Sequence, residues 1–284
     1  MKSSKEIKQY GEIFRKIKKG EGKDMNKKSL FLAFAVIFAL AFMLSGCGSK
    51  FNTVDQIKQK GVIVMGTSAD FPPFEFHKVE GGKDEIVGFD IDIANAIAKK
   101  LGVKLEIKDM DFKGLIPALQ AGRVDMVIAG MTPTAERKKS VDFSDLYYDS
   151  RQVVVVKNDS PISKFDDLKG KTVAVQIGTT SEEAAKKIPD VKLKQLNRVS
   201  DEFMDLQNGR CDAIVVEETV ARAYLKEYKD MKILYMDEIN EVENGSAVAV
   251  AKGNKSLLNV VNEVIKELKQ SGEYDKLVDK WFKQ

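Results

Sequence analysis

Side chains suited to binding a small charged molecule form four groups, three polar and one aromatic, in loops that follow predicted strands. In the loop 130–137, Thr134 can cap a short helix, which would place Arg137 one turn in, beside open backbone amides. A guanidinium matches a carboxylate through two parallel hydrogen bonds, and amides at a helix N-terminus also favour anions. Arg137 could equally be an exposed cation in a basic run with Lys138 and Lys139. The spacing alone leaves both interpretations open.

Two further loops carry groups that complement a carboxylate and an ammonium. Backbone amides and the hydroxyl of Thr180, at the start of a predicted helix, could bind the same anion as Arg137, although a plain helix cap also explains this loop. Glu217 ends a predicted buried strand and could pair with an ammonium. It and Glu218 would also fit an exposed first helical turn.

The fourth group is aromatic. Phe71 in a proline-rich loop and Phe112 after the third strand could enclose the aliphatic part of a ligand or stack on a cation, although each alone fits a core position. Other candidates are assigned to structure: core positions for Phe74, Phe76 and Phe89, a solvated loop for His77, and a small buried hydrophobe for Cys211.

The residue counts exclude several kinds of active site. The chain contains one histidine, so a Ser/His/Asp triad would have to use His77 and a zinc site with several histidines cannot be built. The two cysteines, Cys47 and Cys211, are too few for a disulfide scaffold. We therefore expect no metal and no cofactor.

The charge distribution argues against nucleic acid as a partner. Residues 1–46 contain ten Lys and Arg against four Asp and Glu, so the other 238 residues carry 36 basic and 39 acidic side chains. A protein that binds duplex nucleic acid is expected to have a basic surplus in its folded part, and this chain lacks one.

Residues 1–46 are predicted to be a leader that ends in a signal peptide. The run Leu30 to Leu44 contains fifteen apolar residues after two lysines, which fits a signal-peptide core better than a spanning helix. Leu44-Ser45-Gly46-Cys47 resembles the lipobox of bacterial lipoproteins, which implies cleavage before Cys47, its lipidation, and anchoring at the extracytoplasmic face of the membrane. An uncleaved membrane anchor is the alternative. Because a polar, lysine-rich stretch comes first, we expect the true start at Met25.

The elements that must position these loops alternate between strands and helices. Strands are predicted at 62–66, 104–107, 126–129, 153–156, 172–176, 192–196, 213–216 and 247–250. Helices are predicted at 93–101, 115–119, 182–188, 201–208, 218–228, 257–269 and 274–282. This alternation predicts parallel pairing and an α/β fold. The pattern restarts near residue 150, which indicates two lobes. Ligands in such sheets bind beyond the carboxyl ends of the strands, so a cleft between the lobes is expected.

Several segments together resemble the polar amino-acid family of ABC-transporter solute-binding proteins. The resemblance runs from about Val62 to Phe282 and is carried by residues 66–75 (GTSADFPPFE), 87–92 (VGFDID), 111–119 (DFKGLIPAL), 131–137 (MTPTAER), 141–144 (VDFS) and 177–180 (IGTT).

The resemblance implies a two-lobed periplasmic-binding-protein-like fold with a two-strand hinge and an interlobe ligand cleft. The crossover strands are expected near Tyr148–Gln152 and Glu243–Ala247. The first lobe would then be discontinuous, with 62–148 and 247–284 in lobe I and 149–246 in lobe II. Residues 47–61 would form a lipid-anchored linker.

By similarity, Arg137 would bind the α-carboxylate of an amino acid, assisted by Thr132 and Thr180. Glu217 would bind the α-ammonium together with the carbonyl of Gly130. Relatives usually carry aspartate at the position of Glu217. The glutamate side chain is longer by one methylene, so the distance between backbone and ammonium would differ here.

The same resemblance places Phe71 and Phe112 beside the ligand side chain, with Gln176 within reach of that pocket. Phe71 is often tyrosine in relatives, so a hydroxyl is missing here. At Ser68 many relatives that bind basic amino acids carry an acid, so a cationic ligand would lose one partner.

Asp70 or Glu75 could compensate for the missing acid, and Asp70 is predicted to be a site residue whereas Glu75 is assigned a structural role.

The implied function is capture of a free polar or basic L-amino acid by lobe closure and its delivery to the transmembrane subunits of an ABC permease. The alternatives are a small-carboxylate dehydratase of the same fold, with Glu217 as its only obvious acid or base, and a ligand-sensing or adhesin lipoprotein. We expect no enzyme activity.

Overall fold

The computed structural model describes residues 51–240 and 243–283. The predicted signal peptide, the start at Met25 and the lipidation site at Cys47 lie outside the described residues. The described residues belong to one compact unit, Lys50–Gln284. Within this part of the chain, none of the helices combines the length and the apolar character needed to cross a membrane.

The elements are numbered in chain order. The α-helices are α1 Val54–Lys60, α2 Phe89–Leu101, α3 Leu115–Gln120, α4 Ala135–Lys138, α5 Thr180–Ala185, α6 Val199–Gln207, α7 Glu218–Tyr224, α8 Lys255–Ser271 and α9 Glu273–Phe282. The strands are β1 Val62–Thr67, β2 Asp70–Phe71, β3 Glu75–Glu80, β4 Lys83–Val87, β5 Lys104–Asp109, β6 Met126–Val127, β7 Val141–Phe143, β8 Gln152–Lys157, β9 Thr172–Gln176, β10 Lys192–Leu196, β11 Ala213–Glu217, β12 Met231–Leu234 and β13 Ala249–Ala251. Short 3₁₀ helices lie at Phe112–Gly114, Phe165–Leu168 and Asp237–Asn240.

The first lobe is built on a sheet with the strand order β5-β1-β6-β13-β7. β1 is parallel to β5 and β6, whereas β13 is antiparallel to β6 and β7. Ile63 and Met65 pack in one core cluster with α2 and α8, and Val64 packs in another with α3. Because side chains alternate between the faces of a strand, both faces of this sheet are covered.

The second lobe repeats this layering on a sheet with the order β10-β9-β11-β8-β12. β9 is parallel to β10 and β11, and β8 is antiparallel to β11 and β12. The valines of β8 alternate between two core clusters: Val153 and Val155 pack with α6 and α7, whereas Val154 and Val156 pack with α5. This explains why the strand reads as an unbroken apolar run.

The predicted parallel pairing is wrong for β8 and β13, and the reason is geometric. The parallel strands of each sheet end at the cleft, whereas β8 and β13 are the strands by which the chain enters each lobe after crossing from the other. A strand that starts at the cleft must be antiparallel to neighbouring strands that end there. Between these crossings, Tyr148 and Ser246 form an isolated antiparallel bridge.

The linker predicted over residues 47–61 is also wrong in part, because Val54–Lys60 is the helix α1. Thr53 caps this helix in a reciprocal capping box with Gln56, and Gly61 ends it in the left-handed conformation. Ile57 is fully buried in the core of the first lobe. This part of the chain is therefore folded onto the lobe.

Candidate functional site

A cavity lies where the carboxyl ends of the strands in the two sheets face each other. The space between its lining atoms is about 510 Å³, including the part that is open to solvent. Nine of the ten predicted site residues line it: Ser68, Phe71, Phe112, Gly130, Thr132, Arg137, Gln176, Thr180 and Glu217. The structure thus brings together residues that the sequence spreads over 150 positions.

Arg137 reaches from the first lobe to the second. The hydroxyl of Thr134 accepts a hydrogen bond from the Arg137 amide at 3.2 Å, which caps the single turn of α4. The Arg137 guanidinium donates to the Thr132 carbonyl at 2.7 Å and to the Gly178 carbonyl of the second lobe at 2.8 Å. It also lies 5.2 Å from the centre of the Phe112 ring. Burial lowers the pKa of Arg137 to about 10, so the side chain stays cationic at neutral pH.

Gly130 lies beneath Phe71 and needs to be glycine for two reasons. Its φ of +53° is in the left-handed region, and a Cβ atom would come within 2.7 Å of Phe71 Cε1. The Gly130 amide donates to the buried carboxylate of Asp90 at 2.9 Å, and the Tyr147 hydroxyl donates to the same oxygen at 2.8 Å. The Phe71 ring also stacks on Phe74, with their centres 5.7 Å apart, so this wall of the cavity is fixed.

Glu217, at the end of β11, offers a buried carboxyl group to the cavity. Only 4% of this residue is exposed, and the Thr219 hydroxyl donates to Glu217 Oε1. Burial raises the pKa of Glu217 to about 8; the hydrogen bond from Thr219 opposes this shift, and the charge of Asp90 adds to it. A cationic ligand group at this position would favour the ionised form.

The second lobe contributes a set of amide and hydroxyl groups. The Gln152 side chain donates to the Thr180 hydroxyl at 3.4 Å and accepts a hydrogen bond from the Ser181 hydroxyl at 2.7 Å. Gln176 uses its amide nitrogen to bind the Asn197 carbonyl at 3.0 Å. Gln152 and Ser181 were not predicted to belong to the site, because neither stands in a motif that indicates binding. Gln152 positions the Thr180 hydroxyl and is itself positioned by Ser181, and both residues line the cavity.

Two glutamates that the sequence analysis did not assign to the site are its most unusual feature. Glu75 of the first lobe is 0% exposed and Glu202 of the second is 1% exposed, and both line the cavity. Neither carboxylate accepts a hydrogen bond from any donor in the described part of the chain. Burial raises the pKa of both groups well above the usual range. The Asp90 charge and hydrogen bond raise that of Glu75 further, and the charges of Asp70 and Asp201 raise that of Glu202.

The structural role predicted for Glu75 fits its hydrogen bond with the carboxyl group of Asp90, and the side chain also lines the cavity. Glu202 could have been found from its spacing. It falls three residues after Val199 and four before Leu206, on the buried face of α6, and a carboxylate on an apolar helix face needs a partner.

Asp70 is the predicted site residue that does not line the cavity. Its carboxylate accepts a hydrogen bond from the Val199 amide, the first of α6, and one from the Ser68 hydroxyl at 3.1 Å. An unpaired amide at a helix start attracts a carboxylate, which explains why Asp70 turns away from the cavity. Its role as a ligand contact receives no support from this position and stays a prediction. Among the described residues, no group of three or more His, Cys, Asp or Glu is arranged to hold a metal ion.

A family model, a related protein and two solved structures all relate this chain to solute-binding proteins. The model of the bacterial extracellular solute-binding proteins, family 3, matches residues 63–284. The arginine-binding extracellular protein ArtP of Bacillus subtilis (strain 168) is 44% identical over 259 residues, covering 90% of this chain and 98% of that protein. A crystal structure of the substrate binding protein of an amino acid ABC transporter is 97% identical, with a TM-score of 0.78 and coverage of 78% of this chain and 100% of that chain. An ancestral arginine-binding protein bound to arginine is 50% identical, with a TM-score of 0.72 and coverage of 78% and 98%.

Proposed function

The chain belongs to the bacterial extracellular solute-binding proteins of family 3, and from this we propose that it captures L-arginine for an ABC importer. Capture of an amino acid outside the cytoplasm is the function of the class. The choice of arginine rests on the charge of the cavity and on the relatives, two of which are described as arginine-binding.

The observation that carries the proposal is the excess of buried acid in the cavity. Three carboxyl groups, those of Glu75, Glu202 and Glu217, face a single guanidinium, that of Arg137. A buried carboxylate without a partner is unfavourable. An amino acid with a cationic side chain brings two positive groups and one negative group, which complements this arrangement. A neutral amino acid would leave Glu75 and Glu202 without a cation.

Each end of the ligand has a matching group. The Arg137 guanidinium and the Thr180 hydroxyl would bind the α-carboxylate, and Glu217 would bind the α-ammonium with help from the Gly130 carbonyl. The aliphatic part of the ligand would lie against Phe71.

The far end of the cavity favours a guanidinium over an ammonium. Glu75 and Glu202 present carboxyl oxygens from two different lobes. A guanidinium has five N–H donors in a planar fork, whereas an ammonium has three. Arginine can therefore satisfy both carboxylates at once, which makes it a better ligand than lysine.

Lobe closure follows from this division of contacts. Arg137 and Glu75 belong to the first lobe, and Thr180, Glu202 and Glu217 belong to the second, so a ligand makes all its contacts only when the lobes are closed. A ligand shifts a conformational equilibrium by its differential affinity for the two states. The closed form is then what the transmembrane subunits of the permease recognise, and the amino acid is released to them chemically unchanged.

The N-terminal segment completes the proposal. Cleavage before Cys47 and attachment of lipid there would hold the protein at the extracytoplasmic face of the membrane, with translation starting at Met25. Intact mass of the cellular protein and of a Cys47→Ala variant tests this, since only the parent protein should carry the added mass of lipid. An unmodified cysteine would refute lipidation.

The substrate is tested by a thermal-shift screen of the purified full chain against the twenty common amino acids, followed by calorimetry. A ligand that binds only the folded form must raise the melting temperature. L-arginine should give the largest increase, with L-lysine below it and L-glutamate inactive. A larger increase with a neutral amino acid than with L-arginine would overturn the assignment.

A further inference from the structure

We propose that Asp70, Asp109 and Arg198 form a latch that holds the two lobes closed and sets how long the ligand stays bound, without touching the ligand. This inference rests on the proposed function, because it concerns the closed, ligand-bound state. Asp70 and Asp109 belong to the first lobe and Arg198 to the second, and none of the three lines the cavity.

The central contact is a bidentate ion pair across the cleft. Arg198 donates to the two oxygens of Asp109 at 3.0 and 3.1 Å. Asp109 is the last residue of β5, and Arg198 immediately precedes α6, so each stands at the cleft end of its own lobe. The Ala69 amide donates to Asp109 at 2.9 Å, which fixes this carboxylate before the lobes meet. Paired parallel hydrogen bonds of this kind are the strongest that arginine makes with a carboxylate.

The second contact satisfies a helix that its own lobe leaves uncapped. Arg198 occupies the N-cap position of α6, and its side chain makes no capping hydrogen bond. Instead, the Val199 amide donates to the carboxylate of Asp70 in the first lobe. The Tyr224 hydroxyl of the second lobe also donates to the Asp70 carbonyl, at 2.9 Å. Opening the cleft would break these bonds and return the amide to solvent.

The charges on the first lobe favour the closed form over the open form. Asp70, Asp109 and Asp111 form an acidic rim, and Arg198 lies within 3.8 Å of all three. In the open form these carboxylates would face one another without that cation. The guanidinium is 27% exposed and Asp109 is 25% exposed, so solvent screens the pair only in part.

Two neighbours connect the latch to the ligand. Val199 follows Arg198 and lines the cavity, and Ser68, which hydrogen-bonds to Asp70, lines it from the other lobe. The latch therefore forms only when the cavity walls meet. Because its contacts exist in the closed state alone, losing them should accelerate ligand release and leave ligand entry into the open form unchanged.

The test compares the Arg198→Ala variant with the parent protein, using L-arginine as the probe. Stopped-flow measures the association and dissociation rates, and calorimetry measures the Kd. We expect the dissociation rate to rise about tenfold, since a net contribution near that of one charge-assisted hydrogen bond is lost. The association rate and the ligand-free melting temperature should stay at the parent values. Arg198→Lys keeps the charge but not the fork, so its dissociation rate should lie between the two.

Arg210→Ala is the matched control, because Arg210 pairs with Asp205 of α6 within the second lobe, at 3.2 Å. It removes an arginine–aspartate pair without loosening closure, so its dissociation rate should equal that of the parent protein. The double variant Arg198→Ala, Asp109→Ala should release ligand no faster than Arg198→Ala alone, since both changes remove the same interaction.

The outcomes separate the latch from the proposed function. If the parent protein binds L-arginine and Arg198→Ala and Arg198→Lys release it at the parent rate, the latch is refuted and the function stands. An equal acceleration in Arg210→Ala would also refute it. If the parent protein binds none of the common amino acids, the proposed function fails and the latch falls with it.

Discussion

Replacing Glu202 with glutamine is the most direct test of how the cavity selects its ligand. The substitution keeps the size and shape of the side chain but removes the negative charge. Glu202 is 1% exposed and receives no hydrogen bond from the described residues, so the change breaks no hydrogen bond within this part of the chain. Any change in binding must therefore come from the ligand itself.

The size of the effect follows from the contact that would be lost. A hydrogen bond to a charged group contributes about 1.5–3 kcal/mol, and each 1.4 kcal/mol is tenfold in affinity, so the Kd for L-arginine should rise about 10- to 100-fold. L-citrulline has the shape of arginine without its charge. Its Kd should change by no more than about twofold, the effect of a substitution that removes no contact.

Calorimetry with both ligands measures the arginine-to-citrulline preference, and Asp201→Asn provides the control. Asp201 is the neighbouring residue on α6, is exposed and does not line the cavity, so its replacement removes one charge from the same helix without changing a side chain that lines the cavity. The preference should fall in Glu202→Gln and persist in Asp201→Asn. An unchanged preference in Glu202→Gln would show that this carboxylate does not face the ligand side chain, and the charge argument for arginine would fail.

Ligand-free stability gives an independent check on Glu202. Burial raises its folded-state pKa well above the ordinary value of 4.5. The stability that such a group contributes is fully present below the unfolded-state pKa and is lost as the pH rises through the folded-state pKa. Glutamine resembles the protonated acid, so Glu202→Gln and the parent should melt together at pH 4 and diverge above pH ~5, with the variant more stable. Identical melting temperatures at pH 8 would contradict a buried, unpartnered carboxyl group.

Three further predictions concern the rest of the cavity. Arg137→Ala should weaken L-arginine binding at least about 100-fold in calorimetry, because the ligand carboxylate would be buried without a partner; an unchanged Kd would remove Arg137 from the site. Gly130→Ala should weaken binding by displacing Phe71, whereas Gly81→Ala, with a similar φ of +59° but open space around it, should not; equal effects in the two variants would show that backbone strain alone is responsible. L-arginine should bind more tightly at pH 8 than at pH 5.5 and release protons on binding, because a cation favours the ionised form of Glu217, whose pKa is raised to about 8. Calorimetry in two buffers of different ionisation enthalpy measures the released protons, and zero release would contradict this.

The amino-acid pattern predicted the strands and helices that bury an apolar face. It placed β9 and β10 at the observed residues, and most helices within a few residues. It missed the three-stranded sheet β2-β3-β4, because β3 and β4 consist largely of exposed polar residues without apolar alternation. It also missed β7 and β12, which are short. The parallel pairing predicted from strand–helix alternation was wrong for β8 and β13, since alternation alone does not show that a strand which follows a crossing starts at the cleft.

For the site, the sequence was informative where a residue type stands in a recognisable loop. Arg137, Glu217 and Thr180 follow strands or start helices, and local pattern identifies them. Asp70 stands in such a loop too, but the free amide at the start of α6 attracts it, and that amide is 129 residues away in the chain. Contacts of this kind depend on tertiary structure. The lobe boundaries and the roles of the ligand contacts stay predictions until they are measured.

The position of β13 has a consequence for biogenesis. This strand comes from the last part of the chain, yet it lies between β6 and β7 inside the first sheet, so most of that sheet is synthesised some hundred residues before its missing inner strand. The second sheet, whose strands run from β8 to β12 without interruption, can assemble earlier. β6 and β7 each pair with β13, so a chain that stops before Ala249 would leave both strands without this partner. Their unpaired N–H and C=O groups would then be accessible to proteases and to other copies of the protein. A truncated polypeptide would therefore differ from the finished one in the exposed strand edges of its first sheet.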